Sequence, residues 1–293
     1  MPTSGTENMQ GTLLMMLSMA AFTCNDAVMK AVTRELPLYQ SIAVRGAMVV
    51  VLMLVLFGAQ GRLRFRVPQR DSGPLWGRTL TDVASTVLYL LALQKMALAD
   101  LLAIMQALPL AVTLGAALFF AEPLGWRRLA AIGVGFLGVL LILRPGTGAF
   151  DLWSVAALAA MLLITARDLF TRLFSPALSS ATVALYAAVA VALTGAVLGM
   201  NEDWRWPRPG EWLLLLMAAV FLTVGYVTAV AAMRVGDIGV VAPFRYSSLI
   251  WAIVLGLLVF GEWPDLWTWA GSTLVVGAGI YTILRERQLA RRG

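Results

Sequence analysis

The chain has 293 residues, of which 60% are apolar and only 13% charged, with a mean hydropathy of +0.83. A soluble globule needs more polar surface than this, so an ordinary cytosolic enzyme and a disordered chain are excluded. The charge of +6 and pI near 10.0 do not indicate a nucleic-acid binder, because the basic residues sit between apolar runs and not on one solvated face.

A spanning helix takes about 20 residues. Ten spans are predicted, over residues 10–33, 38–59, 73–96, 98–121, 126–143, 151–172, 180–199, 211–233, 237–260 and 265–284. Stretches such as Leu101–Ala121, Trp212–Met233 and Tyr246–Gly261 carry little or no charge. Continuous runs of this kind must be helices in lipid, and a β-barrel would alternate instead. The first span is expected to be retained and not to be a signal peptide, since residues 1–9 contain no Lys or Arg. Cys24 is the single cysteine and there is no histidine, so no disulfide forms within the chain and His-based zinc or haem chemistry is not expected. No metal site and no cofactor is predicted.

Basic residues set the orientation. With the N-terminus in the cytoplasm, the inner connections and tail hold Arg62, Arg64, Arg66, Arg70, Arg127, Arg128, Arg172, Arg234, Arg285, Arg287, Arg291 and Arg292. The outer connections hold half as many: Lys30, Arg34, Lys95, Arg144, Arg205 and Arg208. This predicts both termini inside and an even number of spans. Trp76, Trp126, Trp153, Trp204, Trp206, Trp212, Trp263 and Trp267 fall near span ends, as an interfacial belt does, and Trp251 lies mid-span.

The chain reads as a duplication. Asn25-Asp26 precedes Lys30 in span one, and Arg167-Asp168 precedes Arg172 in span six; in both, Asp lies one helical turn before a cation. Span four ends Phe120-Ala121-Glu122-Pro123 with Trp126 after it, and span nine ends Phe260-Gly261-Glu262-Trp263-Pro264 with Trp267 after it. Glycine-rich spans follow each. The halves are predicted to be 1–146 and 147–293, the second with a short basic tail. Five spans is an odd number, so the second half enters from the opposite face. The predicted fold is therefore an all-α integral membrane protein of ten transmembrane helices, two inverted-topology five-helix repeats around a central cavity, a recurring plan of secondary transporters.

These residues resemble the drug/metabolite transporter superfamily, EamA branch, over roughly residues 10–285. Arg45 looks like that family's recurrent Arg, and Pro109, thirteen residues before Glu122, resembles its span-four Pro…Glu pattern. Ala242-Pro243-Phe244-Arg245-Tyr246 and the later Glu262 motif resemble a second-half signature, although Pro243 lies nineteen residues before Glu262. Within the superfamily the chain is most similar to YddG-type exporters. That resemblance implies alternating access and export of aromatic and other neutral amino acids across the bacterial inner membrane.

Candidate functional residues are the polar and aromatic groups at depth, which need a partner or a cavity. Asn25, Tyr89, Gln106, Arg167, Tyr226, Tyr246 and Trp251 are the candidate substrate-binding residues: rings hold a large side chain while Asn25, Gln106, Arg167 or Tyr246 meets amino and carboxylate groups. Pro109 and Pro243 each remove a backbone hydrogen bond inside a span and are candidate hinges. Arg78 and Asp82 read as a pair reaching headgroups, Arg45 as structural, and Glu122 and Glu262 as helix-start caps. For Asp26 and Asp168, pairing with Lys30 and Arg172 stands beside a cavity-facing reading.

The partners implied are amino acids and the lipid bilayer, with no nucleic acid, and the chain is expected to act as a monomer. The competing reading is a carrier of the same fold for another metabolite or drug, such as a nucleoside derivative, a vitamin or a cationic drug, taken up or proton-coupled. An enzyme is not predicted, since no nucleophile–base pair or metal cluster is evident, and no nucleotide-binding loop is present.

Overall fold

The computed structural model describes residues 5–61, 67–122, 124–146 and 151–290. Pro123, the breakpoint over 147–150, and the orienting residues Arg62, Arg64, Arg66, Arg291 and Arg292 lie outside them, as does the side chain of Arg287. The described residues form twelve α-helices: α1 (Gly5–Val32), α2 (Leu38–Ala59), α3 (Gln69–Lys95), α4 (Leu98–Met105), α5 (Leu108–Phe120), α6 (Trp126–Leu143), α7 (Leu152–Thr171), α8 (Ser180–Leu198), α9 (Pro209–Val235), α10 (Ile238–Val241), α11 (Ser247–Leu255) and α12 (Leu266–Ala290). Their limits follow the apolar runs. Lipid leaves no other way to satisfy the backbone of such segments.

Two of the rods are broken. α4 and α5 form one rod interrupted at Gln106–Ala107, with Pro109 in the first turn of α5. α10 and α11 form another, joined by a 3₁₀ segment (Ala242–Tyr246) that contains Pro243 and followed by a π turn (Gly256–Phe260). Proline has no N–H to give the preceding turn, which is why both rods break there. Counted this way there are ten rods among the described residues. Eight are long and apolar enough to cross a membrane. α3 and α12 fall outside that group; α3 carries Arg70, Asp71, Arg78, Asp82 and Lys95.

The packing follows the duplication. α1 lies on α9, and α7, its counterpart in the second half, lies on α3. α2 packs on α8 and α6 on α12, so each of these meets its own counterpart, and the two broken rods meet through α4 and α11. A two-fold relation between the halves requires this exchange of partners. Small residues permit the close approaches. A Cβ on Gly138 of α6 would stand 2.6 Å from the carbonyl oxygen of Gly271 on α12, and one on Gly195 of α8 would stand 2.6 Å from the Ala43 nitrogen on α2. Between the halves lies a buried apolar core that includes Met29, Ile42, Leu93, Leu98, Leu101, Ile104 and Met161. Even the ends of the broken rods repeat: Ala121 and Gly261, each just before a glutamate, are both left-handed, with φ of 53° and 68°.

Candidate functional site

A cavity of about 330 Å³ lies between α1, α2 and α3 of the first half and α7, α8 and α9 of the second. Its volume is at the lower end of the roughly 300–1,000 Å³ common for small-molecule sites. α1 contributes Phe22, Asn25 and Asp26, spaced to share one helix face. α2 contributes Arg45, Val49 and Met53 at four-residue intervals. α3 contributes Arg78, Asp82, Ser85 and Tyr89, a polar stripe over about three helical turns. From the second half come Arg167, Ala188, Val191, Leu222 and Tyr226. Phe22 and Tyr226 meet edge to face, with ring centroids 5.3 Å apart.

Two polar networks face this space. In the first, Arg45 donates from one terminal nitrogen to Asn25 Oδ1 at 3.2 Å, and Asn25 Nδ2 donates to Asp26 Oδ1 at 3.0 Å. The Tyr89 hydroxyl donates to Asp26 Oδ2 at 2.7 Å. In the second, Arg167 bridges Asp82, at 3.0 Å, and its neighbour Asp168, at 2.8 Å. Arg78 lies 3.7 Å from Asp82 and donates through Nε to Thr171 Oγ1 at 3.2 Å. Arg78 and Asp82 therefore belong to the cavity wall; they do not reach out to headgroups. Low polarity strengthens both networks, and within each the members hold one another's rotamers.

Of the seven candidate substrate-binding residues, Asn25, Tyr89, Arg167 and Tyr226 come together on this cavity. Gln106, Tyr246 and Trp251 are not among its lining residues. Gln106 is buried between the broken rods, where its Nε2 donates to the Tyr246 carbonyl and to Ser248 Oγ, both at 3.0 Å. The ring of Tyr246 is buried against α12, its hydroxyl occupying the space that a Cβ on Gly279 would need. The breaks carrying Pro109 and Pro243 thus meet at one level, despite the unequal spacing of each proline from its glutamate. Phe22, Asp26, Arg45, Arg78 and Asp82 also line the cavity. The recurrence of ionisable and hydroxyl residues at 78, 82, 85 and 89 was the signal for the α3 stripe.

The paired-cation expectation is corrected. Lys30 does not pair with Asp26; its Nζ donates to Glu262 Oε1 at 2.6 Å and to the Met96 carbonyl at 2.7 Å. Arg172 does not pair with Asp168; it pairs with Glu122 at 2.9 Å. Each cation thus reaches a glutamate of the other half. Glu262 also accepts the Leu98 N–H at 2.9 Å, capping α4 and not the helix that follows it, while Asp265 Oδ1 accepts from Thr268 at the start of α12. The two ion pairs mark opposite ends of the bundle. Arg78, near the Arg172 pair, and Met96, on the Lys30 pair, are separated by eighteen residues, nearly all helical, or about 27 Å. The two ends differ in burial: Arg172 and Glu122 are 44% and 51% exposed, whereas Lys30 and Glu262 are 3% and 24% exposed. Phe260 adds to the burial of Lys30, its ring centroid 5.0 Å from Lys30 Nζ and 4.9 Å from the Arg34 guanidinium.

A cavity enclosed by two half-chains and lined with paired charges is the construction of a membrane solute transporter. The chain belongs to the EamA-like transporter family, whose model matches residues 9–144 and again 151–285. It is 26% identical over 288 residues to a riboflavin transporter of Vibrio cholerae, covering 97% of this chain and 96% of that protein. It is 27% identical over 272 residues to a pseudopaline exporter of Pseudomonas aeruginosa, covering 92% and 94%. An S-adenosylmethionine uptake transporter of Rickettsia prowazekii is 24% identical over 182 residues, 62% of each chain. A solved protein structure superimposes with a TM-score of 0.65 at 18% identity, covering 95% of this chain and 98% of that one, and so shares the fold.

Proposed function

We propose that the protein is a secondary carrier that moves a small organic metabolite across the bacterial inner membrane by alternating access, with both termini in the cytoplasm. The observation that carries this reading is the central cavity lined by both halves, with an exposed ion pair at one end of the bundle and a buried one at the other. The two halves, inserted in opposite senses, exchange roles: as the buried Lys30–Glu262 end becomes exposed, the exposed Arg172–Glu122 end becomes buried. Pro109 and Pro243 are the hinges, and Asn25, Tyr89, Arg167 and Tyr226 contact the solute. Bends at proline let a rod tilt without breaking additional backbone bonds.

The substrate reading moves from amino-acid export to the broader alternative. Relatives named for riboflavin, S-adenosylmethionine and pseudopaline support a carrier of a metabolite larger or more functionalised than a neutral amino acid. Two are named for uptake or transport without export, so direction is left to the solute gradient or a coupled ion.

Purified protein in liposomes tests the carrier. Labelled riboflavin, S-adenosylmethionine and L-tryptophan are presented singly, with and without the same unlabelled solute inside. At least one is expected to exchange faster when trapped solute is present, as an alternating site requires. If none accumulates above protein-free liposomes across this panel and its chemical relatives, the carrier reading fails.

A further inference from the structure

Among the described residues, Arg45 differs from the cavity's other guanidinium groups in pairing with no carboxylate. Arg167 spends its donors on Asp82 and Asp168. Arg78 donates through Nε to Thr171 and lies 3.7 Å from the Asp82 carboxylate, although its Nη1 makes no hydrogen bond. Arg45 is only 5% exposed, yet among the described residues its one hydrogen bond is the 3.2 Å contact to the neutral Asn25 amide. Its Nε is buried without a partner. Asp26, the nearby carboxylate, gives its two oxygens to Asn25 and Tyr89 and forms no ion pair with Arg45. A guanidinium has five N–H donors, and burying it with most of them idle is costly. Were neutralising Asp26 its whole role, the fork would lie on that carboxylate, the bidentate geometry that Arg favours.

We propose that Arg45 is the anchor for a carboxylate on the transported solute, and that the solute class is therefore an organic acid or zwitterion with an apolar or aromatic body. The solute's carboxylate takes the idle face of the guanidinium, and its body lies against the Phe22–Tyr226 edge-to-face pair. Asp26 retains lone pairs beyond the two bonds it accepts and suits a donor or cationic group on the same solute. This rests on the carrier reading for the word "transported"; the binding site itself does not.

Binding to the detergent-purified full chain tests it, using three probes of one shape: indole-3-acetate, its neutral amide indole-3-acetamide, and indoxyl phosphate. Indole-3-acetate is expected to bind about tenfold or more tightly than the amide, the scale of a hydrogen bond to a charged group. Arg45→Gln is expected to remove that preference. Arg45→Lys, which keeps the charge but not the fork, is expected to keep part of it and serves if the glutamine variant does not fold. Equal affinities for acid and amide, or a preference that survives Arg45→Gln, would overturn the proposal. Preference for the phosphate over the carboxylate by a similar factor would overturn the solute class. A protein that binds the acid but moves nothing across liposomes keeps this site and loses the carrier.

Discussion

At one end of the bundle Lys30 and Glu262 meet at 2.6 Å with the lysine 3% exposed; at the other Arg172 and Glu122 meet at 2.9 Å with both more than 40% exposed. The same sequence motif builds both ends, and both pairs join one half of the chain to the other. Their chemistry is alike and their surroundings are not. At the Lys30 end the pair is roofed by Phe260 and tied to Met96 and Leu98. Duplication therefore fixes which residues meet, while the conformation decides which meeting is buried. One structure thus shows the same interaction in a buried and in an exposed setting.

The largest expected effect comes from breaking the buried member. Lys30→Met leaves the Glu262 carboxylate without its cation, and loss of one partner of a buried pair costs about 3–5 kcal/mol. Arg172→Met should cost about 0–1 kcal/mol, as exposed pairs do. Melting curves of the two variants in one detergent measure the contrast, and equal losses would remove the asymmetry. The same comparison has a reading in access. In a Cys24→Ser background, Ala188→Cys on the cavity wall should react with a membrane-impermeant maleimide from the Arg172 side alone. Adding Lys30→Met should let it react from both.

Next in size is the contact of α6 with α12, where each half meets its own counterpart. Gly138→Ala forces a methyl against the Gly271 carbonyl and should cost about 1–3 kcal/mol, an overpacking penalty, read as a lower melting temperature. The smallest effect distinguishes the halves at matched positions. Ala121 and Gly261 share a left-handed backbone that costs a side-chain-bearing residue about 1–2 kcal/mol. Ala121→Gly should stabilise and Gly261→Ala should destabilise, each by about 1 kcal/mol. Changes of the same sign would mean the two ends are not equivalent.

The ten rods were legible because apolar length is a strong signal and lipid permits little but helix. The broken rods were legible in their prolines. What the sequence withheld was which face each mid-span polar residue presents. Tyr89 and Tyr246 look alike as isolated letters, yet one reaches Asp26 in the cavity and the other packs on Gly279. Trp251 was similarly ambiguous. The ion pairs were read locally, as Asp26–Lys30 and Asp168–Arg172, because a one-turn spacing is visible along the chain. The actual partner of Lys30 lies 232 positions away and can be found only by folding.

The side chain of Gln106 has a mechanical consequence. It rivets the kink of one rod to the kink of the other through two hydrogen bonds, on the backbone of Tyr246 and the hydroxyl of Ser248. Neither elbow can flex while its opposite stays still without tearing that rivet in a place where water is scarce. The two kinks are thus tied to each other, and a bend confined to one rod strains both bonds.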